Sequence, residues 1–329
     1  MWVLNYSDGG DIVVETYNMN EFGQVMKLIR KSLNQTQTDV RDRVGISENT
    51  MMKIEKGLVI PKFDTLELLS LAYKIDITAV FLKYRQDISL VNIMASADEA
   101  IQSNNPSKLL QCYHSYHEYI KSGMNRDLIN ASELNLLECF LKNAVRYFDQ
   151  NLKDIQRREM SLEIRNVLEK NNPELKWHKL ESITFNLWEI RLLNLLALLE
   201  GQLENYATSL QILESIYSKY NLYHDLIVTE QNVFLTTIFN LSYHYHLTDQ
   251  HHKALKFADE GIRFTQFSGN IKVLHGLYYR KGIAQFLLHE ENFMDALRYA
   301  VTLLEIVNNK EIADLYRKIT KDNYEIDIP

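Results

Sequence analysis

Small residues recur twelve positions apart in the second half of the chain: Ala197 and Ser209, Ser242 and Ala254, Ala284 and Ala296. Each pair straddles a short polar break, and the second members lie 45 and 42 residues apart. A period in this range marks stacked supersecondary units. Each break is then the turn of a helical hairpin whose two helices touch at small side chains. Leu, Tyr, Phe and Ala at spacings of three and four carry the helical pattern from Ser107 to the end, as in ALKFADEGI and ALRYAVTLL. Breaks fall near Gly123, Asn171-Asn172-Pro173, Gly201, Asn221, Asp249, Gly269-Asn270 and Asn292. Only 11 Gly and 4 Pro occur in 329 residues, so long helices with short connections are expected. The fold class is all-α. Stacked hairpins of this kind wind into a superhelix with a concave face, and Glu311 to Lys321 reads as its capping helix.

The head of the chain reads differently. The stretch TQTDVRDRVGISENTMMKIEKG, Thr36 to Gly57, holds two short helices around a tight turn. Thr36 caps the first, with Gln37 and Asp39 in its first turn. Gly45 supplies the left-handed residue at its end. Ser47 caps the second helix, Glu48 to Glu55. Met51 and Ile54, three apart, point into a small core, and Glu48, Asn49, Met52 and Lys53 face outward. Glu21 to Asn34 precedes the pair with an apolar stripe of Phe22, Val25, Met26, Ile29 and Leu33. Thr65 to Lys74 and Thr78 to Tyr84 follow, after Pro61. Arg30 is expected to pair with Glu55 in a structural role, with a phosphate contact as the functional alternative. A second helix held against a first, polar on its outer N-terminal face, is the geometry that enters a DNA major groove. Asn49 suits adenine, Lys53 guanine and Glu48 cytosine. Gln37, Arg43 and Lys56 suit phosphates, with Ser47 and Thr50 beside them at the helix start. The alternative is a solvated helix face.

Charge separates the two parts. The chain carries -7 overall, but Phe22 to Phe63 is about +4, which leaves about -11 for the rest. A basic head on an acidic body suits a phosphate-binding domain tied to one that does not bind DNA. The expected organisation is a flexible extension over 1–18, a DNA-binding domain over 19–86, a linker helix over 87–106 and the repeat array over 107–329. Ser7-Asp8-Gly9-Gly10 offers a hairpin turn inside the extension, but a lone hairpin is marginal in water. Cys112 and Cys139 sit in apolar helical contexts and fit a reducing cytoplasm. No apolar run approaches a membrane span, and the N-terminus has no secretory signal pattern.

A small head of this type before such an array resembles the peptide-sensing regulators of Gram-positive bacteria, the Rgg, NprR, PlcR and PrgX group. The head resembles the Xre/Cro repressor-type helix-turn-helix in Thr36-Gln37, Gly45, Thr50, Ile54-Glu55 and Gly57. It departs at Arg41, where that pattern has a small alanine. Arg41 then either snorkels outward or holds the two helices further apart. The array resembles tetratricopeptide repeats, which implies a right-handed superhelix. LHGLYYRKG, Leu274 to Gly282, resembles the PlcR branch of the group. The resemblance implies that asparagines on the inner helices hold the backbone of a short peptide. Asn194 and Asn240 match those positions and lie 46 apart, about one repeat. A carboxamide donates and accepts together, so it can pair with any peptide group. Tyr279 is the aromatic candidate for the same groove. Gly276 stands where a polar contact was expected.

The histidines His244, His246, His251 and His252 suggest a metal, but residues two apart do not share a helix face and no Cys or carboxylate cluster completes a site. The same objection meets His114 and His117. Solvated or groove-lining histidines are expected, with no metal and no cofactor. Nothing resembles a nucleophile with its base or a phosphate-cradling loop, so an enzyme is not expected. The expectation is a cytoplasmic, homodimeric quorum-sensing regulator that binds operator double-stranded DNA and a short signalling peptide. The alternatives are a repressor whose array binds a protein partner and a Rap-like antagonist of a response regulator.

Overall fold

The computed structural model describes residues 17–84, 88–121, 131–149, 151–220, 226 and 228–329. Of the extension expected over 1–18, all but Tyr17 and Asn18 lies outside these residues, as do the breaks near Gly123 and Asn221. The described residues form sixteen α-helices in two compact units. One holds residues 17–92 and 119–121; the other holds 93–118 and 131–329.

The first unit begins α1 (Met19–Ser32), α2 (Gln37–Val44), α3 (Glu48–Glu55), α4 (Phe63–Tyr73) and α5 (Ile77–Leu82). Local signals set these ends. Thr36 and Asp39 form a reciprocal capping box on α2, and Gly45 closes it at φ 77°. Ser47 caps α3 by accepting from the Thr50 N–H. The fourth and fifth helices start a residue or two before the expected positions. Lys62 takes the extended cap of α4, and Asp76 caps α5 by accepting from the Ala79 N–H. Phe22, Met26, Val40, Met51, Ile54, Leu69 and Ile77 form a core with no exposed surface. Tyr17 stacks on Phe81 with centroids 4.1 Å apart, and the Asn18 N–H donates to the Tyr84 carbonyl at 2.7 Å. The unit therefore takes in residues before Met19.

Helix α6 (Ile88–Gln102) starts in the first unit and ends in the second. There follow α7 (Pro106–Lys121), α8 (Ala131–Tyr147), α9 (Asp154–Asn171), a 3-10 turn (Trp177–Ser182), α10 (Leu187–Gln202), α11 (Tyr206–Tyr217), α12 (Val228–Leu247), α13 (His251–Ser268), α14 (Leu274–Leu287), α15 (Phe293–Ile306) and α16 (Lys310–Tyr324). Consecutive members pair as hairpins: α8 with α9, α10 with α11, α12 with α13, α14 with α15. The first helices of these hairpins stand in one row, with α10 against α8 and α12, and α12 against α14. The small residues twelve apart are all buried at the hairpin contacts. Ser209 Oγ donates to the Ala197 carbonyl at 2.7 Å, and Ser242 Oγ to the Ala254 carbonyl at 2.8 Å. A larger side chain at these points would separate the helices and break that bond. Helix α16 packs on α15 and closes the array with Ala313, Ile326 and Ile328. No helix among the described residues is long and apolar enough to cross a membrane.

Candidate functional site

Two surfaces carry the expected site residues. In the first unit, the expected pair of Arg30 and Glu55 is present and bidentate, Nε to Oε1 at 2.5 Å and Nη2 to Oε2 at 2.9 Å. The same hydrogen bond raises the Arg30 pKa. Arg30 Nη1 also donates to the Gln35 carbonyl, so one guanidinium ties α1, the turn before α2, and α3. Gln37 is drawn into this network and donates to Glu55 at 3.0 Å. Arg43 donates to the Ala72 carbonyl at the end of α4. Arg41 points outward and binds Asp42 and Glu48. The second partner matters, because Glu48 also accepts from Thr38 and is thereby held toward α2. Ser47 and Thr50 are bonded to each other in the cap. Asn49, Lys53 and Lys56 are exposed, and no side-chain hydrogen bond ties them to another described residue. The outer face of α3 thus consists of fixed polar groups around Asn49 and Lys53.

In the second unit, Asn194 and Asn240 meet. Asn240 Nδ2 donates to Asn194 Oδ1 at 3.3 Å, and Asn194 Nδ2 donates to Thr237 Oγ1 at 3.0 Å and the Ile190 carbonyl at 3.1 Å. Both asparagines are buried and line one cavity of about 70 Å³, several water molecules' worth of space. Its other walls are mostly apolar: Phe140, Ala144, Tyr147 and Phe148 from the α8 end, Leu195 and Leu198 from α10, Val233 and Thr236 from α12. One side is closed by Asp98 and Ile101 of α6. Asp98 is bound bidentately by Arg191, at 2.9 and 2.6 Å, and both side chains are buried. Burial, with a contribution from Tyr243, pushes the Tyr147 phenol up to about 12.

Tyr279 does not line this cavity. It is buried in the C-terminal core, stacked on Tyr316 at 4.1 Å and bonded to Thr320, with the Arg280 guanidinium 6.0 Å from its ring centroid. His244 corrects the expectation of solvated or groove-lining histidines. Its ring is buried on Gly201, where a Cβ would overlap Nε2, and its Nδ1 lies 2.8 Å from the Asn240 carbonyl. His252 is exposed as expected. No group of three metal-ligating residues occurs among the described residues. Cys112 and Cys139 are free and buried. Sequence reasoning did not find Asp98, Arg191 or the aromatic walls, because apolar helix positions look alike until the helices are stacked.

Burial lowers the pKa of His246 and of His275 to about 4. Each is bonded to a C-terminal tyrosine, Tyr324 and Tyr316 respectively. A depressed histidine pKa means that the unfolded chain binds the proton first as pH falls. Stability is therefore full above about 6.5 and is lost as pH drops from 6.5 towards 4. Urea midpoints at pH 7.5, 5.5 and 4.5 should fall in that order, and less steeply in His246→Gln/His275→Gln. Equal slopes in the two proteins would assign the loss to other groups.

No family model matches the sequence, and no curated protein matches it. Solved structures do match the fold. PlcR of Bacillus thuringiensis, in complex with the peptide PapR7 and DNA, aligns over 90% of this chain and 99% of its own, with 15% identity and a TM-score of 0.68. The SHP pheromone receptor Rgg2 of Streptococcus dysgalactiae aligns over 92% and 99%, with 12% identity and a TM-score of 0.58. PrgX in complex with cCF10 aligns over 90% and 97%, with 12% identity and a TM-score of 0.57. At these identities the shared property is the fold: this chain is built as PlcR, Rgg2 and PrgX are, with the architecture of the Rgg, NprR, PlcR and PrgX group.

Proposed function

We propose that this chain is a peptide-controlled transcription regulator. The observation that carries the reading is the Asn194–Asn240 pair. Two carboxamides from neighbouring repeats meet on the wall of one apolar cavity. Its lining, mostly apolar with a few placed polar groups, is of the kind ligand sites have, and its volume of about 70 Å³ is room for a side chain and not for a whole peptide. A peptide group offers a donor and an acceptor, and can take over the bonds these side chains now make to each other and to Thr237. The apolar walls suit a hydrophobic side chain of the same peptide.

The first unit supplies DNA binding. Helix α3 enters the major groove with Asn49 and Lys53 as base readers, and Lys56 reaches phosphate. Gln37, Arg43 and Glu48 hold the helices in place, and Ser47 and Thr50 fix the N-terminus of α3. Two copies related by a two-fold axis supply the affinity that one small module lacks. Peptide binding shifts the population between two arrangements of the array. The likeness to PlcR, solved with a peptide and DNA, supports this reading.

The test has two arms. Peptides that co-purify with the full chain from its host are identified by mass spectrometry. A short peptide, lost in Asn194→Ala/Asn240→Ala, is expected; a protein partner and no peptide would overturn the reading. Operator sites are then selected from random duplexes. Lys53→Ala should weaken binding to the selected site by about 1–3 kcal/mol, roughly 5- to 150-fold, with little effect on unrelated DNA. An equal loss on all sequences would move Lys53 to the phosphates.

A further inference from the structure

Arg280, on α14, is a cation without a counter-ion among the described residues. Its guanidinium lies 4.2 Å from the Tyr243 ring centroid and 5.2 Å from that of Phe239. Its Nε is buried and has no hydrogen-bond acceptor. Other cations of the array that are mostly buried have carboxylate partners: Arg191 pairs with Asp98, Arg165 with Glu200 and Lys281 with Asp259. Burial first, and the positive field of Arg280 after it, hold His244 and His246 below the usual histidine range. A buried donor of a charged group is costly to leave unbonded.

The place of this cation matters. Tyr243 follows Asn240 by three residues on α12, so the two share a helix face about one turn apart. Tyr243 also perturbs Tyr147, which lines the cavity. Phe239 is the second ring under the Arg280 guanidinium, and Gly276 makes room for it. A Cβ at 276 would come within 2.7 Å of the Phe239 ring. The glycine that stood where a polar contact was expected instead gives room to the ring beneath Arg280.

The geometry points to a carboxylate subsite: we propose that Arg280, laid over Tyr243 and Phe239, binds a carboxylate of the peptide held by Asn194 and Asn240. This rests on the reading of the cavity as a peptide site. A guanidinium that has aromatic rings and no carboxylate for neighbours retains N–H groups that a carboxylate can take up in a charge-assisted bond. The carboxylate comes from the peptide's C-terminus or from an Asp or Glu side chain, and the chemistry is the same for both.

Three pools of random heptapeptides distinguish the sources. One lacks Asp and Glu and has a free C-terminus, the second is the same pool amidated, and the third is amidated with one Asp or Glu. Each is passed over the immobilised full-length protein and retention is quantified by mass spectrometry. Retention of at least one carboxylate-bearing pool should exceed that of the carboxylate-free pool by about 10- to 100-fold. Arg280→Gln should abolish the difference, and Arg280→Lys should keep part of it. Asn240→Ala should lower all pools alike. Equal retention of the three pools by the natural protein, or an unchanged preference in Arg280→Gln, would overturn the subsite and leave peptide binding standing. No retention of any pool, with no peptide co-purified from the host, would overturn both.

Discussion

Replacing Glu55 by alanine destabilises the first unit by about 3–5 kcal/mol, the usual cost of leaving one partner of a buried ion pair alone. A unit of this size has roughly 4–10 kcal/mol in all, so the change removes a large part of it. The size follows from what Glu55 satisfies. It accepts two bonds from Arg30 and one from Gln37. Without it, the buried Arg30 retains only the Gln35 carbonyl. The variant Arg30→Leu/Glu55→Leu should recover most of the loss, because no buried charge remains. Hydrogen exchange on the full chain reads this directly. Protection of α1 and α3 should collapse in Glu55→Ala and return in the double variant, while α12 to α15 stay unchanged. Full protection in Glu55→Ala would remove the pair from the account of stability.

The second large effect is expected at Asp98. Asp98→Ala leaves Arg191 buried without its bidentate partner, at a similar cost of about 3–5 kcal/mol. Here the damage falls on the cavity wall. Arg191 keeps its contact with the Trp188 ring, 5.3 Å away, but α6 loses its tie to α10. Exchange should rise over residues 93–102 first. Asp98→Asn, which keeps the shape and one acceptor, should lie between the two. If exchange over 93–102 is unaffected in Asp98→Ala, apolar packing of α6 alone closes that wall.

These two pairs show what a sequence discloses and what it withholds. Arg30 and Glu55 were legible because they belong to a short unit whose helix ends announce themselves. Thr36, Gly45 and Ser47 each act on backbone within a few residues, and fixing those ends leaves little freedom in how three short helices pack. The hairpins were legible for a similar reason, since two small residues twelve apart require only a turn between them. Asp98 and Arg191 lie 93 residues apart. Nothing local marks either as a partner of the other, because their meeting depends on how α6 is laid against α10. Arg280 was hidden in the same way. It lies in the segment Leu274 to Gly282, but its contact with two rings depends on a glycine of α14 facing a phenylalanine of α12. Asn194 and Asn240 were legible as positions and not as a bonded pair. The burial of His244 was not legible, because a histidine on an array helix can face either layer.

The serine bonds within the hairpins have a mechanical consequence. Ser209 fastens α11 to α10, and Ser242 fastens α12 to α13, each by a hydroxyl on a backbone carbonyl where the helices are in closest contact. The two hairpins are therefore stiff blocks. The joint between them is made by α10 and α11 against α12; its α10 side is fastened by the side-chain bonds among Asn194, Thr237 and Asn240, and its α11 side by Tyr245, which donates to Glu214. On the proposed reading, a ligand that replaces the bonds of Asn194, Thr237 and Asn240 loosens the α10 side of this joint and leaves the α11 side as its pivot, so recognition and change of curvature share one place.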